Sequence, residues 1–307
     1  MSIIQKAMDK RYDAWLQRRS LTQVDPLKRE DLAQPPPDMP STREAGRHPK
    51  PIATTRLTGT NTDRAPVAQL GAGHVVRCES PDPQVMEEFR RIKRPLLTKA
   101  FGKDDVRVER GNVIMVTSSV PGEGKSFTAI NLSLSMVLER DHTALLIDAD
   151  SVKRNVSRQL ELDGRPGLID VLLDNRLDFA RMGIRTQHPG LVIVPAGHRH
   201  AHATEILASS EMERLVSTLA ERYSDTMIIF DSAPLLATTQ AQVLAELVGQ
   251  VVVVVEADRT PQHVVKEGIS TLSPTKPINL ILNKSQHSFG RDYPRAYYAD
   301  YYGHEQE

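Results

Sequence analysis

Between residues 113 and 284 the chain repeats one pattern: a short, almost wholly apolar run, then a stretch with helical periodicity. The runs are VIMVTSS (113–119), TALLIDAD (143–150), LVIVPAG (191–197), TMIIFDS (226–232), QVVVVVEA (250–257) and INLILNK (278–284). A strand that is apolar on both faces needs both faces covered, which is the condition of a parallel sheet with helices on either side. The pattern predicts an α/β fold built on a doubly wound, mostly parallel sheet. In such sheets ligands gather at the carboxyl ends of the strands.

The N-terminal quarter does not share this pattern. In residues 1–19, Ile4, Met8 and Trp15 recur at helical spacing among lysines and arginines, which predicts a short amphipathic helix. Residues 20–75 carry Pro26, Pro35, Pro36, Pro37, Pro40, Pro49, Pro51 and Pro66 with few large apolar side chains. Such a segment buries too little surface to offset its ordering entropy, so a disordered linker is expected. The folded domain is then 76–290, and 291–307 is a tail. A hydrophobic content of 39% fits a folded part diluted by a polar one. The formal net charge is zero, which gives no electrostatic case for nucleic acid. Cys78 is the single cysteine, so no internal disulfide forms, and a reducing compartment fits. No apolar run approaches the roughly 18 residues of a membrane helix.

The chemistry sits where the runs end. The first leads into SSVPGEGKS (118–126) and then a helix, the layout of a P-loop. The phosphate-binding stretch is Pro121, Gly122, Glu123, Gly124, Lys125, Ser126 and Phe127. The glycines let the backbone approach a polyphosphate, with amides directed at its oxygens at the positive end of the helix. Lys125 would reach the outer phosphates of a nucleotide, and the Ser126 hydroxyl would bind Mg²⁺. In the general P-loop pattern the first glycine would fall on Ser119. Asp148 and Asp150 close the second run and Asp231 the fourth. Carboxylates there face the ligand crevice and hold Mg²⁺ directly or through water, although Asp150 also suits a helix cap. The last run ends in Asn283 and Lys284. Gln286 stands where a guanine reader has Asp, so Asn283 is expected at an adenine edge, with a turn-forming role as the alternative.

SSVPGEGKS, LLIDADSVKR and MIIFDSAPLL together resemble the Walker A, A′ and B motifs of bacterial tyrosine kinases, P-loop ATPases that phosphorylate their own tyrosine-rich C-terminal tail. PAGHRHAHATEILASSEM (195–212), MSIIQKAMDK and EEFRRIKRPLL are similar to the subgroup of tyrosine autokinases associated with exosortase and exopolysaccharide gene clusters. The resemblance implies an enzyme using ATP and Mg²⁺, with Lys125, Asp148, Asp150 and Asp231 as catalytic residues. Ser126, Asp150 and Asp231 would be the metal ligands, and Asp148 would orient or deprotonate the incoming hydroxyl. It implies Tyr293, Tyr297, Tyr298, Tyr301 and Tyr302 as phosphoacceptors, used in trans. It also implies a ring-like homo-oligomer built on a Glu-x-x-Arg-x-x-Arg helix, here Glu87, Arg90 and Lys93, or one residue on, Glu88, Arg91 and Arg94. The expected partner is a membrane chain-length regulator of polysaccharide export, which would hold a cytoplasmic protein at the inner membrane. The family's A′ motif has an arginine where this chain has Val152. The competing reading, a spatial-organiser ATPase with a deviant Walker A, requires a second lysine where this chain has Val120.

Overall fold

The computed structural model describes residues 64–65, 83–103 and 105–285. The expected N-terminal helix, Cys78 and the tail tyrosines lie outside them. All six expected strands form: β2 (Val113–Ser118), β3 (Thr143–Asp148), β5 (Leu191–Val194), β6 (Thr226–Asp231), β7 (Gln250–Glu256) and β8 (Ile278–Asn283). Two short strands join them, β1 (Arg64–Ala65) and β4 (Ile184–Thr186). β1 lies inside the stretch expected to be linker. The sheet order is β1-β4-β5-β3-β6-β2-β7-β8, and only the β4–β5 pair is antiparallel.

Alternation along the strands splits the core in two. Ile114, Val116, Leu146, Ile229, Val252 and Val254 point to one face, under α1 (Pro83–Phe101) and α2 (Lys125–Met136). Val113, Met115, Leu145, Ile147, Ile228, Phe230, Val251 and Val253 point to the other. That face is covered by α4 (Leu168–Leu173), α7 (Ser210–Arg222) and α8 (Gln240–Leu247). Between β3 and α4 lies the five-residue α3 (Asn155–Gln159). The remaining short helices are α5 (Phe179–Met182) and α6 (Ala203–Leu207), and α9 (Gln262–Ser270) precedes β8. Burying each large aliphatic side chain contributes roughly 1.5–3 kcal/mol, so the two faces of β2, β3, β6 and β7 hold the domain together.

This order places the ends of β3, β6 and β2 side by side. Asp148 pairs in register with Asp231, and β2 runs on the other flank of β6. The β2-to-β3 crossover runs to one side of β2 and the β6-to-β7 crossover passes to its other side, so a crevice opens at the carboxyl ends of these strands.

Candidate functional site: the crevice at the ends of β2, β3 and β6

The turn from β2 into α2 is held by two glycines in the left-handed region, Gly122 (φ 95°) and Gly124 (φ 97°). A Cβ at Gly122 would meet nothing within 4 Å, so that side of the loop is open. At Gly124 a Cβ would overlap the Asn283 side chain. Asn283 Nδ2 donates to Glu123 O at 2.8 Å, and Lys284 Nζ donates to Gly122 O at 2.8 Å. The end of β8 therefore braces the loop, and the donor assigned to an adenine edge is already engaged. The Glu123 side chain faces inward. Its carboxylate accepts from Val120 N (2.8 Å), Thr260 Oγ1 (2.6 Å) and Glu256 N (3.3 Å). The Phe127 side chain packs against the α1–α2 core. Glu123 and Phe127 thus offer the loop their backbones rather than their side chains.

Lys125, at the start of α2, is buried and turned into the crevice. Its Nζ lies 3.0 Å from Asp150 Oδ2 and 3.8 Å from Asp231 Oδ1. Burial alone would lower its pKa, but the charges of Asp231 and Asp150 raise it above the usual lysine value. Ser126 Oγ donates to Asp231 Oδ2 at 2.7 Å, while Asp231 Oδ1 has no hydrogen-bond partner among the described residues. Burial pushes the Asp231 carboxyl up to about 6, against the pull of Lys125.

Asp148 is fully buried. It accepts from Asp150 N (3.2 Å), Ser157 N (2.8 Å) and Ser157 Oγ (2.7 Å). Burial first, then the Asp231 charge, pushes it up to about 7. Asp150 does two things: Oδ1 caps the turn by accepting from Lys153 N at 2.9 Å, and Oδ2 holds Lys125. Asp150 thus faces the crevice and closes the turn before α3, but it is not the cap of that helix, whose N-cap is Arg154. Ser157 carried no motif, and nothing in its spacing marked it.

The sequence of residues 111–288 matches a family described as AAA domain. YwqD of Bacillus subtilis, a tyrosine-protein kinase, is 29% identical over 230 residues, covering 74% of this chain and 91% of YwqD. ExoP of Rhizobium meliloti, a succinoglycan biosynthesis transport protein, is 30% identical over 213 residues, covering 67% of this chain. The solved kinase domain of VpsO superposes with a TM-score of 0.53 at 28% identity, covering 65% of this chain and 98% of that domain. The chain belongs to the bacterial tyrosine kinase family. It spans 20–26% of the length of the longer relatives, ExoP among them.

Set against that family, two features of this chain change place. Lys93, assigned to a subunit contact, is only 2% exposed. Its Nζ donates to Ser135 O at 2.8 Å and pairs with Glu139 at 2.7 Å, so it is used inside the chain. Phe89, Leu96, Leu97 and Ala100 form the buried stripe of α1. Lys93 lies four residues after Phe89 and three before Leu96, on that same stripe, and this spacing was readable. Glu88, Arg91 and Arg94 lie on the exposed side of the helix, while Glu87 and Arg90 pair with each other at 3.3 Å. In the A′ turn Val152 is exposed and Arg154 is buried. Arg154 Nη1 donates to Gly197 O at 2.8 Å, and Nη2 bonds Asp163. Arg154 is therefore a tie between loops.

Proposed function

We propose that the chain is an ATP-dependent protein-tyrosine kinase that phosphorylates its own C-terminal cluster, Tyr293, Tyr297, Tyr298, Tyr301 and Tyr302, on a neighbouring copy. The observation that carries this reading is Lys125, a buried lysine at a helix start, poised between two buried carboxylates on a loop whose outer side is open.

The residues fit a magnesium nucleotide. The space beyond Gly122 admits phosphate, and the unpartnered Asp231 Oδ1 beside the Ser126 hydroxyl suits a hard cation. Ser126 and Asp231 would hold Mg²⁺, with Asp150 at its water shell. Bound there, the ion would supply charge neutralisation on the transferring phosphoryl group. The loop amides and Lys125 bind and orient the phosphates, a matter of positioning and electrostatics rather than covalent chemistry. As Lys125 turns to the phosphates it releases Asp150. Asp148, pushed up to about 7 by burial, is the acceptor for the phenol proton as the tyrosine oxygen bonds the γ-phosphorus and the bond from that phosphorus to the departing ADP breaks. Because Asp148 is fully buried and triply hydrogen-bonded, the A′ turn must give way for it to reach a hydroxyl.

The physiological role we propose is in exopolysaccharide synthesis and export, with a membrane chain-length regulator as partner. The naming of ExoP supports the polysaccharide link. Among the described residues no helix is long and apolar enough to cross a membrane, which fits attachment through such a partner. The trans reaction is tested by mixing a full-length Lys125→Met chain with a tail-deleted chain and MgATP. Phosphate on the Lys125→Met tail is the expected result, and an unlabelled tail would refute transfer between copies.

A further inference from the structure

The loop after β5, Pro195–His202, is not used by the mechanism above, yet it is tied directly to the crevice. Ala196 N donates to Ser157 Oγ at 3.0 Å, and that same hydroxyl donates to Asp148. Gly197 O accepts from Arg154 of the A′ turn. Gly197 has φ 90°, and a Cβ there would overlap the Asp170 carboxylate. The loop is thus fixed at the same end of the sheet, one strand beyond β3.

From this base the loop presents HRHAH, residues 198–202. His198, Arg199, His200 and His202 are all exposed. Asp170 orients the first of them: Oδ1 lies 2.8 Å from His198 Nδ1, and Oδ2 accepts from His198 N at 3.1 Å and Gly167 N at 2.8 Å. With Nδ1 engaged, Nε2 is the ring atom left for a ligand, on a side chain that is 60% exposed. His202 N donates to His200 Nδ1 at 3.2 Å, which sets the second half of the cluster. Of the acidic groups beside it, Asp163 pairs with Arg154 and Asp170 with His198, while Glu205 of α6 is exposed.

We propose that this loop is a phosphotyrosine-binding site, and that its ligand is the phosphorylated tail of this chain. Residues 292–307 carry four carboxylates against one arginine, so the tail is acidic before modification, and Arg199 is the exposed cation of the loop. Each phosphate adds about −1.5 to −2 charges and three strong acceptor oxygens. Arg199 matches those oxygens as a planar fork. His198 Nε2, held by Asp170, donates to them when the imidazole carries both protons. A tail retained this way after its first phosphorylation stays beside the crevice at high effective concentration, so its remaining tyrosines are presented next.

The site rests on the kinase reading only for the source of the phosphate, and its test needs no turnover. A synthetic peptide of residues 292–307, with Tyr301 and Tyr302 phosphorylated or not, is titrated into the dephosphorylated full-length Lys125→Met chain. We expect the phosphopeptide to bind about tenfold or more tighter, each charge-assisted contact being worth about that factor. His198→Ala and Arg199→Ala should each remove much of this gain, and the double variant all of it, with the unphosphorylated peptide unaffected. Asp170→Asn should weaken only the phosphopeptide, by about threefold as the ring loses its orientation. Nucleotide affinity measured on each variant reports on the fold; if Asp170→Asn fails to fold, the exposed His198 and Arg199 variants still decide. Equal binding of the two peptides, or a phosphopeptide affinity untouched by the double variant, overturns the site. A tail that is phosphorylated in turnover yet shows no such binding would leave the kinase reading standing and this one refuted.

Discussion

The two ends of α2 each hold a buried lysine, and they could hardly differ more. At the C-terminal end Lys93 reaches in from α1 to Ser135 O and Glu139. Its donors have partners, its charge is matched by one carboxylate, and it complements the negative end of the helix dipole. At the N-terminal end Lys125 faces two buried carboxylates, with a third behind them and one oxygen left without a hydrogen bond. The first end is closed and balanced. The second carries negative charge in excess, which costs free energy unless something cationic completes it. Burial of a lysine therefore says little by itself; whether its surroundings are satisfied separates a structural tie from a working site.

That contrast can be broken at either end. Lys125→Met should lower tail phosphorylation by at least about 10²–10³-fold, the scale of losing one preorganised electrostatic contact to a transition state. Quantifying phosphotyrosine in the C-terminal peptide against time measures it. Lys93→Met should leave the specific activity of folded protein unchanged but cost about 2–3 kcal/mol of stability, because Glu139 and Ser135 O lose a buried partner. Urea unfolding of the two proteins side by side checks this. An activity loss at Lys93 with no stability loss would erase the distinction between the two ends.

Glu139→Gln should cost less, about 1 kcal/mol at neutral pH, because the isosteric amide keeps an oxygen that accepts from Lys93. Its hydrogen bond with Lys93 holds the Glu139 pKa below the usual value of 4.5. The contribution of Glu139 is then fully present above that value and fades as pH falls through the lower folded pKa. Wild type and Glu139→Gln should thus converge in stability on acidification, as thermal melts between pH 7 and pH 3 would show. Arg91→Ala and Arg94→Ala should change stability least, within about 0.5 kcal/mol. If the exposed side of α1 is a subunit contact, they should instead shift the sedimentation coefficient.

The fold was largely legible because its signal is collective. Six apolar runs with helices between them leave few alternatives to a covered parallel sheet. β1 and β4 were missed: two and three residues are too short to show any period. The phosphate loop and the three carboxylates were legible from position alone, since an acid at the end of an apolar strand needs a polar reason to be there. What escaped was direction. Glu123 reads as a loop residue, yet its carboxylate turns inward to Thr260, which lies 137 positions away in the chain. Lys93 reads as a surface charge until it is counted along the stripe from Phe89 to Ala100. Ser157 and Arg154 act through partners that only the tertiary structure brings near, Asp148 in one case and Gly197 in the other.

The central claim is that the crevice holding Lys125 transfers phosphate to the chain's own tyrosines. The most direct measurement is mass spectrometry of the 286–307 peptide after dephosphorylated full-length protein is incubated with MgATP, alongside Lys125→Met and Asp231→Asn. We predict phosphate on tyrosines of the 293–302 cluster in the wild type and almost none in either variant. An unmodified tail in wild-type protein that binds and hydrolyses ATP would contradict the account.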